Sequence, residues 1–151
     1  VGLMGIFNGA GRIIWASLSD YLTRPVVYVI FFATQAVAFY MLPSIKEIIL
    51  FQVVLYFIMT CYGGGFASIP AYIGDIFGTK ELGAIHGYIL TAWAAAGLVG
   101  PLIISMVKDK TGSYSETLYV FSGFFVVALV VSILMVINIK SIKKRKQKVH
   151  H

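Results

Sequence analysis

A lone arginine inside an apolar run has the most chemistry to offer in this chain. Arg12 lies in Phe7–Arg24, FNGAGRIIWASLSDYLTR, a stretch that ends in a polar turn at Ser19-Asp20 and Arg24. If the stretch is a membrane helix, Asp20 marks its water-facing end. Arg12 is then eight residues back, roughly 12 Å along the axis. Half of a hydrocarbon core is about 15 Å, so Arg12 is expected near the midplane. A guanidinium there costs at least about 2.5–3.5 kcal/mol, and no carboxylate in the same run neutralises it. An anion that visits the site explains such a cation best, because the planar guanidinium fork grips a carboxylate through two parallel hydrogen bonds. The alternatives are an arginine paired with an acid on another helix, or one that snorkels to the interface. Asn8, four residues earlier, shares its helix face and can orient the guanidinium or a ligand, or else bond a neighbouring helix.

Tyr62, Tyr72, Tyr88 and Trp93 supply hydroxyl and indole donors that can wall a cavity, although aromatic residues also gather at membrane interfaces for general reasons. Thr91 and Gln35 offer weaker polar contacts. His86 can relay a proton or simply bond the adjacent turn, with Asp75 as a partner. Gly63-Gly64-Gly65 is not followed by the Lys-Ser/Thr of a phosphate loop. The three histidines are not at ligand spacing and no buried carboxylate pair appears, so neither metal nor covalent chemistry is expected and no cofactor is implied. The lone Cys61 excludes an internal disulfide and a cysteine metal cluster.

The elements that would hold these residues are long apolar segments. The chain is 59% hydrophobic and 12% charged; soluble domains carry about 25% charged residues, so the composition belongs to a bilayer protein. The net charge of +6 is local, since six of the twelve Lys and Arg fall in the last twelve residues. That tail is first a topology determinant, and no nucleic-acid partner is expected. Five spans are predicted: about Val1–Ser17, Val26–Leu42, Ile48–Ile73, Ala84–Val107 and Leu118–Ile139, followed by a solvated basic tail over 140–151. The first span has a small side built from Gly2, Gly5, Gly9 and Gly11, suited to close helix packing. Pro25 suits the opening of the second. The third is long enough to need tilt or a break, and Gly63–Gly65 and Pro70 offer the break. Ala92, Ala96 and Gly100 make a small-residue stripe on the fourth, and the fifth is apolar all round.

Arg24, Lys80 and the tail place eight basic residues on one side, against Lys46, Lys108 and Lys110 on the other. The positive-inside rule then puts the C-terminus in the cytoplasm of a multi-pass cell-membrane protein. A chain that opens at Val1 inside an apolar segment, with an odd number of spans, is expected to be a fragment lacking its upstream helices.

Three blocks carry a family resemblance: Asn8-Gly-Ala-Gly-Arg12 running to Ser19-Asp20 and Arg24; Cys61-Tyr62-Gly-Gly-Gly65-Phe66 through Ile69-Pro70-Ala71-Tyr72 to Asp75-Ile76-Phe77-Gly78; and Ile85-His86-Gly87 through Leu90-Thr91-Ala92-Trp93 to Gly97 and Gly100-Pro101. Together they resemble the C-terminal half of a major facilitator superfamily transporter, and more narrowly the oxalate/formate antiporter family. The resemblance implies an all-α membrane protein whose five spans (residues 1–139) are helices eight to twelve of twelve. It implies that the first, third and fourth spans line the cavity while the second and fifth lie outside, and that the missing N-terminal half is a partner. It gives Arg12 the substrate carboxylate. Asp20 and Arg24 resemble the superfamily's loop motif Gly-x-x-x-Asp-Arg/Lys-x-Gly-Arg, in which they clasp neighbouring helices. Ala16, Tyr21 and Thr23 depart from it, Thr23 standing at a glycine position.

Oxalate-type members carry a lysine in the penultimate helix. Here that region is Trp93-Ala94-Ala95-Ala96-Gly97, which favours a monoanion. The function expected is secondary transport of small carboxylates, with Arg12, Asn8, Tyr62, Tyr88 and Trp93 at the substrate. The competing readings are a carrier of another solute with a structural Arg12, and a non-transporting membrane receptor on the same scaffold.

Overall fold

The computed structural model describes residues 2–149, with side-chain environments through Ile142. The described residues form five α-helices: α1 (Gly2–Leu22), α2 (Arg24–Met41, closed by a short 3-10 turn at Leu42–Ser44), α3 (Ile48–Phe77), α4 (Leu82–Thr111) and α5 (Tyr114–Val149). Each of α3, α4 and α5 runs past the apolar stretch that defines its span, because a helix interior satisfies its own backbone groups and has no reason to stop where lipid does. Capping does stop them. Gly78 (φ 79°) ends α3 and Gly112 (φ 72°) ends α4, each returning its N–H to a carbonyl of the last turn, Gly74 and Lys108 respectively. No comparable signal follows Ile139, so α5 continues as helix to Val149, and the boundary at 139/140 is one of composition.

Among the described residues four segments are long and apolar enough to cross a membrane: Arg24–Ser44, Ile48–Phe77, Leu82–Thr111 and Tyr114–Ile142. Helix α1 has the length but is less apolar, since it carries Asn8, Arg12 and four glycines. Those residues lower its hydropathy. The predicted small side packs only in part: Gly11 meets the Thr60 backbone and Asn8 meets Gly63 of α3, while a Cβ built on Gly2, Gly5 or Gly9 has no described neighbour within 4 Å.

The predicted break in α3 does not occur. The helix passes unbroken through Gly63–Gly65 and Pro70, because the glycines are used for contact instead of bending. A Cβ on Gly11 would collide with the Thr60 backbone, one on Gly63 with the Asn8 carbonyl, and one on Gly64 with the Trp15 side chain. Backbone thus meets backbone along the α1–α3 seam, the arrangement that small residues permit in lipid. The Trp15 indole donates to Thr60 Oγ1 at 3.3 Å and so fixes the register of the seam.

Helix α2 packs between α3 and α5 within this chain. Val27 and Phe31 form a buried cluster with Cys61 of α3, flanked by Trp15 and Tyr28. Ala38 and Leu42 form another with Ile58, against which Leu118 of α5 packs. Helix α5 lies along the far side of α2, with Phe39 against Phe121 and Phe125 and Tyr40 against Tyr119. The Ser122 hydroxyl donates to the Ala36 carbonyl at 2.7 Å, a buried interhelical bond. Replacing Ser122 by Val is expected to lower the melting temperature of the full-length protein modestly, since membrane interhelical bonds are worth about 0.6 kcal/mol on average; differential scanning fluorimetry measures it. Helix α4 has no buried residue, and nothing lies within 4 Å of a Cβ built on Gly87, Gly97 or Gly100. Its stripe of Ala92, Ala96 and Gly100 therefore faces open space among the described residues.

Candidate functional site

The α1–α3 seam sets Arg12 in place. Its Nε donates to Asn8 Oδ1 at 3.3 Å, as their four-residue spacing requires. Its guanidinium carbon lies 5.7 Å from the centroid of the Phe66 ring on α3, within cation–π range. Among the described residues no carboxylate lies within ion-pair distance of it; the ion pairs present belong to Arg24. Arg12 is exposed on the face of α1 beside the seam. With Nε bonded to Asn8 and one face toward Phe66, the two terminal nitrogens have no hydrogen-bond partner among the described residues, and these can take both oxygens of a carboxylate end-on.

The site extends to α4 through aromatic contacts. Phe66 meets Trp93 edge-on, with centroids 6.0 Å apart and an interplanar angle of 64°. The Trp93 indole donates to the Tyr62 hydroxyl at 3.1 Å, linking α4 to α3. Tyr62 and Phe66 are one turn apart on α3 and so share a face. Asn8, Arg12, Tyr62 and Trp93 therefore gather on one open wall, with Phe66 at its centre. Sequence reasoning missed Phe66 as a site residue. Its spacing of four from Tyr62 was the available signal, but an apolar ring announces no chemistry until a cation is placed over it.

Tyr88 does not join this wall. It lies five residues before Trp93, about 140° around an ideal helix, and is 75% exposed. Its carbonyl accepts from the Thr91 hydroxyl at 2.7 Å, so Thr91 is turned back on its own helix. Gln35 is buried at the α2–α3 contact, where its amide donates to the Ile58 carbonyl at 3.3 Å. Tyr72 packs against Tyr28 with centroids 5.2 Å apart.

At the end of the bundle Arg24 reaches two acids. One terminal nitrogen donates to Asp20 Oδ1 at 2.8 Å and the other to Asp75 Oδ2 at 2.7 Å. The pairing ties the end of α1 and the start of α2 to the end of α3. Both carboxylates are more than half exposed, at 64% and 56%, so each pair contributes no more than about 1 kcal/mol. The expected partnership of Asp75 with His86 does not form, because Asp75 is engaged by Arg24. His86 Nδ1 is buried and has no hydrogen-bond partner among the described residues. A cavity of about 440 Å³ opens at this end, lined by Asp20, Thr23, Arg24, Asp75 and Lys140 among others. It is separate from the Arg12 wall. Among the described residues no cluster of His, Cys, Asp or Glu could hold a metal ion.

The described helices thus include four that are long and apolar enough to cross a membrane, with a cationic, aromatic-lined face at mid-helix. The chain belongs to the Major Facilitator Superfamily, whose model matches residues 1–150. It is 29% identical over 102 residues to an oxalate:formate antiporter of Oxalobacter formigenes, covering 66% of this chain and 24% of that protein. It is 27% identical over 121 residues to monocarboxylate transporter 10 of Homo sapiens, covering 77% of this chain and 23% of the relative. The chain thus spans about a quarter of the length of the curated relatives it matches. No solved structure matches it.

Proposed function

We propose that this chain supplies part of the substrate pathway of a secondary carrier for small carboxylates, working by alternating access around a site at mid-membrane depth. The observation that carries the reading is the Arg12 guanidinium. It is held by Asn8 and Phe66, has no acidic partner among the described residues, and has its terminal nitrogens free. The names of the relatives, an oxalate:formate antiporter and monocarboxylate transporter 10, support the same substrate class. Tyr62 and Trp93 wall the site; Tyr88 can contribute only if another segment covers its exposed side. Asp20 and Arg24, with Asp75, clasp the helix ends as the two halves of the carrier rock. His86, with its unpartnered nitrogen, is the candidate for proton movement.

A monoanion suits the site better than oxalate, because among the described residues no second cation accompanies Arg12 on the wall and α4 offers Trp93-Ala94-Ala95-Ala96-Gly97 at that level. The remaining spans of the carrier are supplied by a preceding N-terminal half, and the basic 140–151 tail keeps the C-terminus cytoplasmic by the positive-inside rule. The organic anion and the surrounding bilayer are then its partners, and no cofactor takes part. Reconstitution of the full-length protein in proteoliposomes tests the proposal. Saturable uptake of a formate- or lactate-sized monoanion, competed less well by oxalate, is expected. Lack of carboxylate flux at verified insertion would refute it.

A further inference from the structure

Thr23 is the single residue between α1 and α2, and its backbone stands at φ 71° and ψ 133°. Among the described residues it is the only non-glycine with positive φ. A β-branched side chain is a true outlier there. The ψ value also lies outside the left-handed basin that asparagine and aspartate tolerate, so only glycine is at ease. The Thr23 side chain offers no compensation, since it makes no capping hydrogen bond to α2.

The surroundings hold the residue in place. Its carbonyl accepts from the N–H groups of Val26 and Val27 at 3.1 and 3.2 Å. The Asp20–Arg24 pair spans it at 2.8 Å, and the Arg24–Asp75 pair ties the junction to α3 at 2.7 Å. Beside it lies the cavity of about 440 Å³, which gives the junction room to change shape. A strained residue, an ionic clasp around it and a void next to it therefore coincide at one point.

We infer that the α1–α2 junction is a spring held by the Arg24 clasp. Backbone strain at Thr23 opposes the clasped state, and is released when the ends of α1 and α3 separate and the Arg24–Asp75 pair breaks. Thr23 shortens the life of the clasped state relative to a glycine at the same place. The inference rests on the alternating-access reading for the existence of an unclasped state, but not on the identity of the solute.

Spin labels at Tyr21→Cys and Phe77→Cys, which are 87% and 59% exposed at the ends of α1 and α3, report the separation by pulsed distance measurement on the full-length protein without substrate. Thr23→Gly is expected to move the ratio of short to long distances about tenfold toward the short one, the size of effect that relief of one strained residue produces. Thr23→Ala keeps the Cβ and should move the ratio far less, while Asp75→Asn should move it toward the long distance. The spring is overturned if Thr23→Gly leaves the ratio unchanged while Asp75→Asn shifts it. It is also overturned if Thr23→Ala acts as strongly as Thr23→Gly, which would assign the effect to the side chain. One unchanged distance in every variant, Asp75→Asn included, would remove the unclasped state and with it the spring, while rocking of one half against the other, and the carboxylate reading with it, would stand.

Discussion

On the proposed function, Arg12→Lys in the full-length protein is expected to lower carboxylate uptake at subsaturating substrate by about 10- to 100-fold at unchanged membrane expression. The charge survives the substitution, so the loss measures geometry. Lysine is a point charge with rotating donors, whereas the guanidinium presents two parallel N–H groups to two oxygens. Hydrogen bonds to charged groups are worth about 1.5–3 kcal/mol, and each 1.4 kcal/mol is tenfold. Lysine also lacks the Nε that donates to Asn8 and the planar face set toward Phe66, so its ammonium would wander where the guanidinium is held. The effect should fall mainly on KM if binding is what Arg12 provides. A structural arginine predicts another pattern: reduced expression or melting temperature, with normal KM in the protein that survives. Uptake kinetics and thermal stability measured on the same preparation separate the two.

Gly63→Leu is expected to prevent assembly of the α1–α3 seam, and Gly63→Ala to lower the melting temperature clearly. A Cβ at this position points into the backbone carbonyl of Asn8, which cannot rotate away as a side chain would. Overpacking against movable neighbours costs about 1–3 kcal/mol, and an obstacle made of backbone places Gly63 at or above the top of that range. The seam also sets Arg12 relative to Phe66, so surviving Gly63→Ala protein should bind carboxylate more weakly. Gly123→Ala on α5 is the control. Nothing lies within 4 Å of a Cβ there, and alanine is the better helix former by roughly 0.5–1 kcal/mol. Equal melting temperatures for Gly63→Ala and Gly123→Ala would contradict the close approach.

Local relations were legible in the sequence and distant ones were not. The Asn8–Arg12 bond and the Asp20–Arg24 pair follow from a spacing of four on one helix, and the five apolar runs locate the five helices. The ends of the helices were misjudged because hydropathy marks where lipid begins, whereas Gly78 and Gly112 mark where the backbone turns. Gly63–Gly65 was misread as a point of weakness. Whether a glycine bends a helix or admits a neighbour depends on what packs there, and Asn8 and Trp15 lie about fifty residues away in sequence. Asp75 was assigned to His86 by proximity along the chain, while Arg24 reaches it across 51 residues. Tyr88 offers a hydroxyl as Tyr62 does, but it lies five residues before Trp93, which carries it round to another side of α4. Thr23 was visible as a departure from a glycine position. Its consequence, a positive φ between two helices, needed the backbone.

On the proposed function, the terminal nitrogens of Arg12 receive a carboxylate because of its charge and its two oxygens. Competition against labelled monocarboxylate uptake tests this most directly, using lactate and its uncharged isostere lactamide on the full-length protein in proteoliposomes. Lactate should suppress uptake at concentrations where lactamide has no effect, and Arg12→Gln should abolish that discrimination. Equal competition by lactamide and lactate, or discrimination that persists in Arg12→Gln, would contradict the claim.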